Sequence, residues 1–142
     1  MAWLIGNVTC YHVGSTHSEP LSTDRAGWRI FLYRDQRRVA YRDYKGPALV
    51  RGGAGTGKTV VAMHRAKHLA DQIAADPTRS PERVLFTTFT TNLAIDIRSN
   101  MKTLCPEHLE EANPRIEVMN LDRWVSRFSE TQKISTRNRL LR

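Results

Sequence analysis

Eight residues, Gly52-Gly53-Ala54-Gly55-Thr56-Gly57-Lys58-Thr59, constrain this chain more than any others. They stand between the apolar run Ala48-Leu49-Val50 and a stretch with helical periodicity. The run satisfies G-x-x-x-x-G-K-[ST] completely, and each residue type has a physical reason to be there. Glycines admit backbone geometries closed to other residues, so successive N–H groups can converge on a phosphate. A helix opening near Lys58 adds its positive N-terminal end. Lys58 would set a point charge on the β- and γ-phosphates, and the Thr59 hydroxyl would offer a ligand to Mg²⁺. The alternative is a flexible glycine loop without a ligand. A strand before it and an amphipathic helix after it favour a phosphate cradle, with Lys58 the candidate catalytic residue.

The surrounding pattern predicts an α/β fold. Short strands are expected at 48–50, 83–89 and 116–119, and helices at 58–75 and 92–104. A further helix opens at Asn120 or Asp122. Strands alternating with helices at this spacing imply βαβ units and a parallel sheet. Val61, Ala62, Leu69 and Ile73 are expected to face inward from the first of these helices, and Leu93, Ile97, Met101 and Leu104 from the second. Upstream, Trp28-Arg29-Ile30-Phe31-Leu32-Tyr33 is apolar enough to dock on a core, and Asp35 is placed to cap a short helix over 36–44. Residues 1–27 are poorly patterned: strand-like character at 3–13 is followed by a loop at 14–25. The basic stretch 129–142 has weak periodicity and is expected to fray.

Lysine and arginine number 22 against 14 acids, for a net charge of +8. Such an excess favours polyanionic partners, nucleic acid among them, through counterion release; a basic surface without a partner is the plain alternative. Cys10 and Cys105 are too few and too far apart for a disulfide framework or a metal cluster, so free thiols and a cytoplasmic location are expected. No window nears the roughly 20 apolar residues needed to cross a bilayer, so no membrane partner is expected. His64 and His68 lie four apart, as zinc ligands do, but without a third ligand a solvated helix face is the better reading. Cys10, His12 and His17 form a weaker metal-ligand group, and Trp124 and Phe128 read as core packing.

Three blocks appear in order: FLYRDQRRVAYRDYKGPALV, GGAGTGKT and RVLFTTFTTNLAIDI. Together they resemble the N-terminal part of the first RecA-like domain of UvrD/Rep-type superfamily I DNA helicases. The likeness covers roughly residues 28–128. It implies a P-loop NTPase, RecA-like, parallel sheet with flanking helices. It also implies ATP and Mg²⁺ as cofactors and single-stranded DNA as a partner. Gln36 sits where the family's adenine-recognising glutamine belongs, and without the family it would read as an exposed polar residue. Thr90, Thr91 and Asn92 sit in the family's DNA-touching turn, where Thr91 interrupts the usual wording, so they carry over only as a group. From the residues alone the same turn reads as a cap by Thr91 or Asn92.

No apolar run ends in the paired acids that hold Mg²⁺ in such enzymes, and no arginine finger or second RecA-like domain is visible. Asp122 follows a strand but looks placed to cap a helix. The expectation is therefore an incomplete domain: an ATP-binding part of a DNA helicase, weak on single-stranded DNA alone, whose remainder is encoded separately. Two rivals stand beside it. One is a small self-contained P-loop NTPase or kinase, and the other is a nucleotide-binding remnant without turnover.

Overall fold

The computed structural model describes residues 7–8, 30–110 and 112–140. Their order is β1 (Asn7–Val8), α1 (Arg34–Tyr41), β2 (Leu49–Val50), α2 (Lys58–Ala75), β3 (Val84–Thr88), α3 (Thr91–Leu104), β4 (Ile116–Asn120) and α4 (Leu121–Leu140). Short 3-10 turns at Pro77–Arg79 and Pro106–His108 follow α2 and α3. The loop expected at 14–25, Trp28 and the Cys10, His12 and His17 group lie outside the described residues. Among the described residues, no helix is long and apolar enough to cross a membrane.

The chain is α/β with parallel pairing. β3 pairs with β4 over five residues, from Val84 opposite Ile116 to Thr88 opposite Asn120. β1 pairs with β2, Asn7 opposite Leu49 and Val8 opposite Val50. The expected sheet is thus present as two separate pairs, with no ladder joining β2 to β3 among the described residues.

Helix α2 holds the two pairs together because it is buried on two sides. Met63, Ala66 and Ala70 face Ile97, Met101, Cys105, Leu109 and Ile116 in the larger cluster. Val61 faces Leu32 and Ala40 of the α1 side, and Val60 touches both clusters. Alanines at 66 and 70 bring the helix backbone close to its neighbours. This corrects the expected inward set: Ala62 and Leu69 are only half-buried, and Met63, Ala66 and Ala70 carry the core. On α3, Ala94, Ile97 and Met101 are buried, whereas Leu93 is 44% exposed. Of the apolar run expected to dock before α1, Leu32 is buried and Ile30 packs against the larger cluster, whereas Phe31 is 44% and Tyr33 59% exposed.

Several boundaries moved for identifiable reasons. α1 starts at Arg34 because the Gln36 side chain, not Asp35, accepts the Tyr33 N–H (3.0 Å). It stops at Tyr41 because the Arg65 guanidinium donates to the carbonyls of Ala40 (3.3 Å) and Arg42 (2.6 Å), acceptors left open at a helix end. α4 continues through 129–140, the stretch expected to fray; no glycine or proline interrupts 121–140.

A polar cluster fastens the Pro106–His108 turn to α2. His108 is buried, and its Nε2 lies 2.7 Å from Asp71 Oδ1, while Lys67 Nζ lies 2.9 Å from Asp71 Oδ2. Burial raises the Asp71 carboxyl, but hydrogen bonds from Lys67 and His108 outweigh it and hold the group below its ordinary value. The bond to Asp71 in turn raises Lys67. Nearby, burial pushes the Cys105 thiol up to about 11, with Glu107 adding to the effect, so this cysteine is an inert core residue.

These shifts give the cluster a pH window. A carboxyl with a depressed folded-state pKa contributes stability above its unfolded value, about 4, and loses it as pH falls through the folded value. A raised lysine contributes below its unfolded value, about 10.4, and loses it as pH rises through the folded one. Asp71→Asn should lower stability at pH 7 by about 1 kcal/mol, a modest figure because the pair is partly solvated. The deficit should shrink below the carboxylate range, as read by urea unfolding at neutral and acid pH. A deficit independent of pH would mean that the side-chain charge plays no part.

Candidate functional site

The glycine run forms a closed turn at the start of α2. Gly55 and Gly57 have φ of 74° and 75°, the left-handed region that side chains rarely adopt. Gly57 caps α2, and its carbonyl accepts the Val61 N–H (3.0 Å). The Thr56 hydroxyl donates to the Gly53 carbonyl (2.9 Å). The Lys58 ammonium reaches back to the carbonyls of Gly52 (2.9 Å) and Gly53 (2.5 Å). It also lies 3.5 Å from the Thr56 hydroxyl. Gly52, Gly53, Thr56 and Lys58 are thereby brought together, the lysine held over the loop by weak neutral acceptors. An anion would offer the ammonium a stronger, charge-assisted bond. Thr59, in the first turn of α2, is exposed on the same helix end.

Gln36 joins this loop from α1. Its Oε1 accepts from Tyr33 N–H, and its Nε2 donates to the Thr56 carbonyl (3.1 Å). A Cβ built on Gly57 would stand 2.6 Å from Gln36 Nε2. The glutamine is therefore packed against the loop at a position where only glycine fits. This contact unites residues 20 apart and is stronger placement than an exposed polar residue would have.

The turn after β3 is built separately. Thr88 is buried, and its hydroxyl donates to the Thr90 carbonyl (2.9 Å), ending the strand at Thr88. Thr90, rather than Thr91 or Asn92, caps α3 by accepting the Leu93 N–H (3.3 Å). Thr91 and Asn92 are exposed in the first turn of α3. Among the described residues, none of the three hydrogen-bonds to the glycine loop. The residue that pattern reading missed is Phe89, 86% exposed beside them. Its position at the end of the strand expected over 83–89 hides it from pattern reading, and the strand stops one residue earlier, at Thr88.

Two other sequence readings change. His64 and His68 do not form a solvated face: both flank the Tyr41 ring, and His64 bridges the Tyr41 hydroxyl (3.1 Å) and the Ile30 carbonyl (2.8 Å). They lie on the α1-facing side of α2, as their four-residue spacing allows. Trp124 and Phe128 stack with centroids 5.5 Å apart, but Phe128 is 51% exposed, so they are not core. Among the described residues, one group has metal-ligand spacing: Asp71, Glu107 and His108. It lies 13 residues along α2 from Lys58, roughly 20 Å at 1.5 Å per residue. The Lys67 ammonium already compensates its carboxylates, at 2.9 Å from Asp71 and 3.8 Å from Glu107.

Comparison with known proteins adds a lineage to this geometry. Residues 32–136 match the family described as UvrD/REP helicase N-terminal domain. An ATP-dependent DNA helicase PcrA of Leuconostoc citreum is 34% identical over 89 residues, covering 63% of this chain and 10% of that protein. A PcrA of Staphylococcus epidermidis is 35% identical over 71 residues, 50% of this chain and 9% of the relative. A putative ATP-dependent DNA helicase YjcD of Bacillus subtilis is 37% identical over 72 residues, 51% and 9% respectively. The matched part thus spans about a tenth of these relatives' length.

The loop geometry makes a substitution test direct. Gly57→Ala meets both a left-handed backbone and the Gln36 amide. It should cost about 1–2 kcal/mol, read as a lower urea midpoint with an unchanged slope. A neutral outcome would mean that the loop relaxes freely and that the Gln36 contact does not constrain it.

Proposed function

Because this chain belongs to the UvrD/REP helicase N-terminal domain family, we propose that it binds ATP with Mg²⁺ as the nucleotide-binding portion of an ATP-dependent DNA helicase of RecA-like, P-loop fold. The observation that carries the reading is the closed loop of Gly52, Gly53, Thr56 and Lys58 at the N-terminus of α2. The residues fit a triphosphate: two left-handed glycines shape the turn, the helix end is positive, and Lys58 can exchange loop carbonyls for phosphate oxygens. Lys58 would hold the β- and γ-phosphates, with the amides of Gly53, Ala54, Gly55, Thr56 and Gly57 around them. The Thr59 hydroxyl would hold Mg²⁺, which supplies charge neutralisation at the phosphates when bound. Gln36, already against the loop, would turn its amide to the adenine edge.

The exposed turn of Phe89, Thr90, Thr91 and Asn92 is the part suited to a DNA strand. Threonine and asparagine offer hydrogen bonds to phosphate, and an exposed aromatic offers a stacking face to a base. This contact is proposed to be weak without further polypeptide. In the complete helicase, nucleotide turnover would drive movement along single-stranded DNA.

A second reading is binding without turnover by this chain alone. β3 and β4 end in Thr88 and Asn120, neither a carboxylate, and Asp122 lies in the first turn of α4. Among the described residues, none of those hydrogen-bonded to the loop is a carboxylate that could orient a water for attack.

Isothermal titration calorimetry should show Mg-ATP binding that Lys58→Ala weakens severely. Equal affinity in the two proteins would remove the loop from the reading. ATP should be preferred over GTP, with Gln36→Ala erasing a preference of about 1–3 kcal/mol, the cost of an unpaired buried polar group. A preference unchanged in the variant would reassign Gln36 to a purely structural role. Phosphate release should stay at background with or without single-stranded DNA. DNA-stimulated turnover lost in Lys58→Ala would overturn the second reading and direct attention to Asp122.

A further inference from the structure

Helix α1 has two faces of different chemistry. Gln36, Val39 and Ala40 turn inward, to the loop and to α2. The outward face carries Arg34, Arg37 and Arg38, at the three- and four-residue spacings that align side chains along one side of a helix; Tyr41 stands at its edge, bonded to α2, and Arg42 follows just beyond the helix end. All five are exposed, and with Asp35 they line an open concavity of about 740 Å³. Among the described residues, Arg34, Arg37 and Arg38 make no ion pair. The face is held firmly: Arg65 secures the C-terminal end of α1, and Tyr41 is bonded to His64 of α2. Over residues 34–51, six arginines and lysines stand against two aspartates, half of the chain's net +8.

We propose that this arginine face is a second nucleic-acid contact, binding the phosphate backbone of a DNA strand independently of the turn after β3. Residues 34 to 41 span roughly 10 Å of helix at 1.5 Å per residue. A single phosphate would meet one or two of the guanidinium groups, whereas a strand presents several phosphates over such a length. The planar guanidinium suits phosphate oxygens bidentately. The face has Tyr41 as its one aromatic and lacks the apolar centre on which protein–protein interfaces are built. Nothing in the inference rests on nucleotide binding at the loop.

The test is the salt dependence of binding to a fluorescein-labelled oligothymidylate, followed by anisotropy. Each phosphate contact on a single strand contributes a slope of about 0.7 in log affinity against log salt. The triple variant Arg34→Gln, Arg37→Gln, Arg38→Gln should therefore flatten the slope by about 2. A control, Arg98→Gln, Lys102→Gln, Arg123→Gln, removes the same charge from exposed positions on α3 and α4 and should keep a slope near that of the parent protein. Thermal melting by circular dichroism establishes that each variant is folded. If the α1 triple variant does not fold, Arg38→Gln alone should flatten the slope by about 0.7. Equal flattening in both triple variants would mean that net charge alone attracts DNA, and the proposal fails. No flattening in the α1 variant also overturns it. Displacement of the oligonucleotide by polyglutamate of matched charge, as effective as by unlabelled DNA, would assign the face to an acidic protein instead. Loss of ATP binding by Lys58→Ala leaves these outcomes untouched, so the two proposals fail separately.

Discussion

The two-sided burial of α2 is the constraint on which the rest of the structure depends. Among the described residues the two parallel strand pairs share no hydrogen-bond ladder, and packing against this helix is what couples them. Its sheet-facing side is made of Met63 and two alanines, which allow close approach. Its other side carries Val61 together with His64, Arg65 and His68, which engage α1 by apolar contact, aromatic edges and hydrogen bonds. Burying about 25 cal/mol per Å² of apolar surface on both sides makes α2 the natural rigid platform for whatever its N-terminus holds.

That platform matters because the glycine loop is the least self-sufficient part of the site. Two left-handed glycines, a folded-back lysine and a threonine hydroxyl define its shape, all near solvent. Gln36 links it to α1 with one amide group that serves two partners, the Tyr33 N–H and the Thr56 carbonyl. A glutamine that turned toward an adenine would release at least one of them. Base recognition and loop shape would then be coupled through one side chain, as expected of a group whose donor and acceptor are both committed.

The charge of the chain is also organised by the packing. Arg65 is drawn inward as a helix-end donor, and burial lowers its pKa while Tyr44 and Asp43 oppose the shift. Lys67 is held by Asp71, and Arg79 by Glu82. Arg34, Arg37 and Arg38, which face water without an ion pair among the described residues, lie side by side on the outer side of α1. An excess of positive charge in composition thus becomes a directional surface only because α1 spends its opposite face on the core.

Local sequence by itself determined the elements and the loop. The G-x-x-x-x-G-K-T run, the apolar tripeptide before it and the helix over 58–75 are set by backbone freedom and by periodicities that act within a few residues. α2 accordingly spans Lys58–Ala75 as read. The parallel α/β class followed from the alternation of short strands and helices. Tertiary structure decided what local rules cannot see. Ala62 and Leu69 fit a one-faced helix, but α2 is sandwiched, so its buried set wraps around the axis and includes Met63, Ala66 and Ala70. His64 and His68 looked solvated until α1 covered them. The cap of α3 moved to Thr90 because Thr88 turned the chain early, and the same turn exposed Phe89. The contact of Gln36 with the loop joins residues 20 apart, and no spacing rule encodes it. Propensity and turn chemistry operate between near neighbours; which faces are covered, and which side chains meet across the fold, is settled only when distant segments compete for the same buried space.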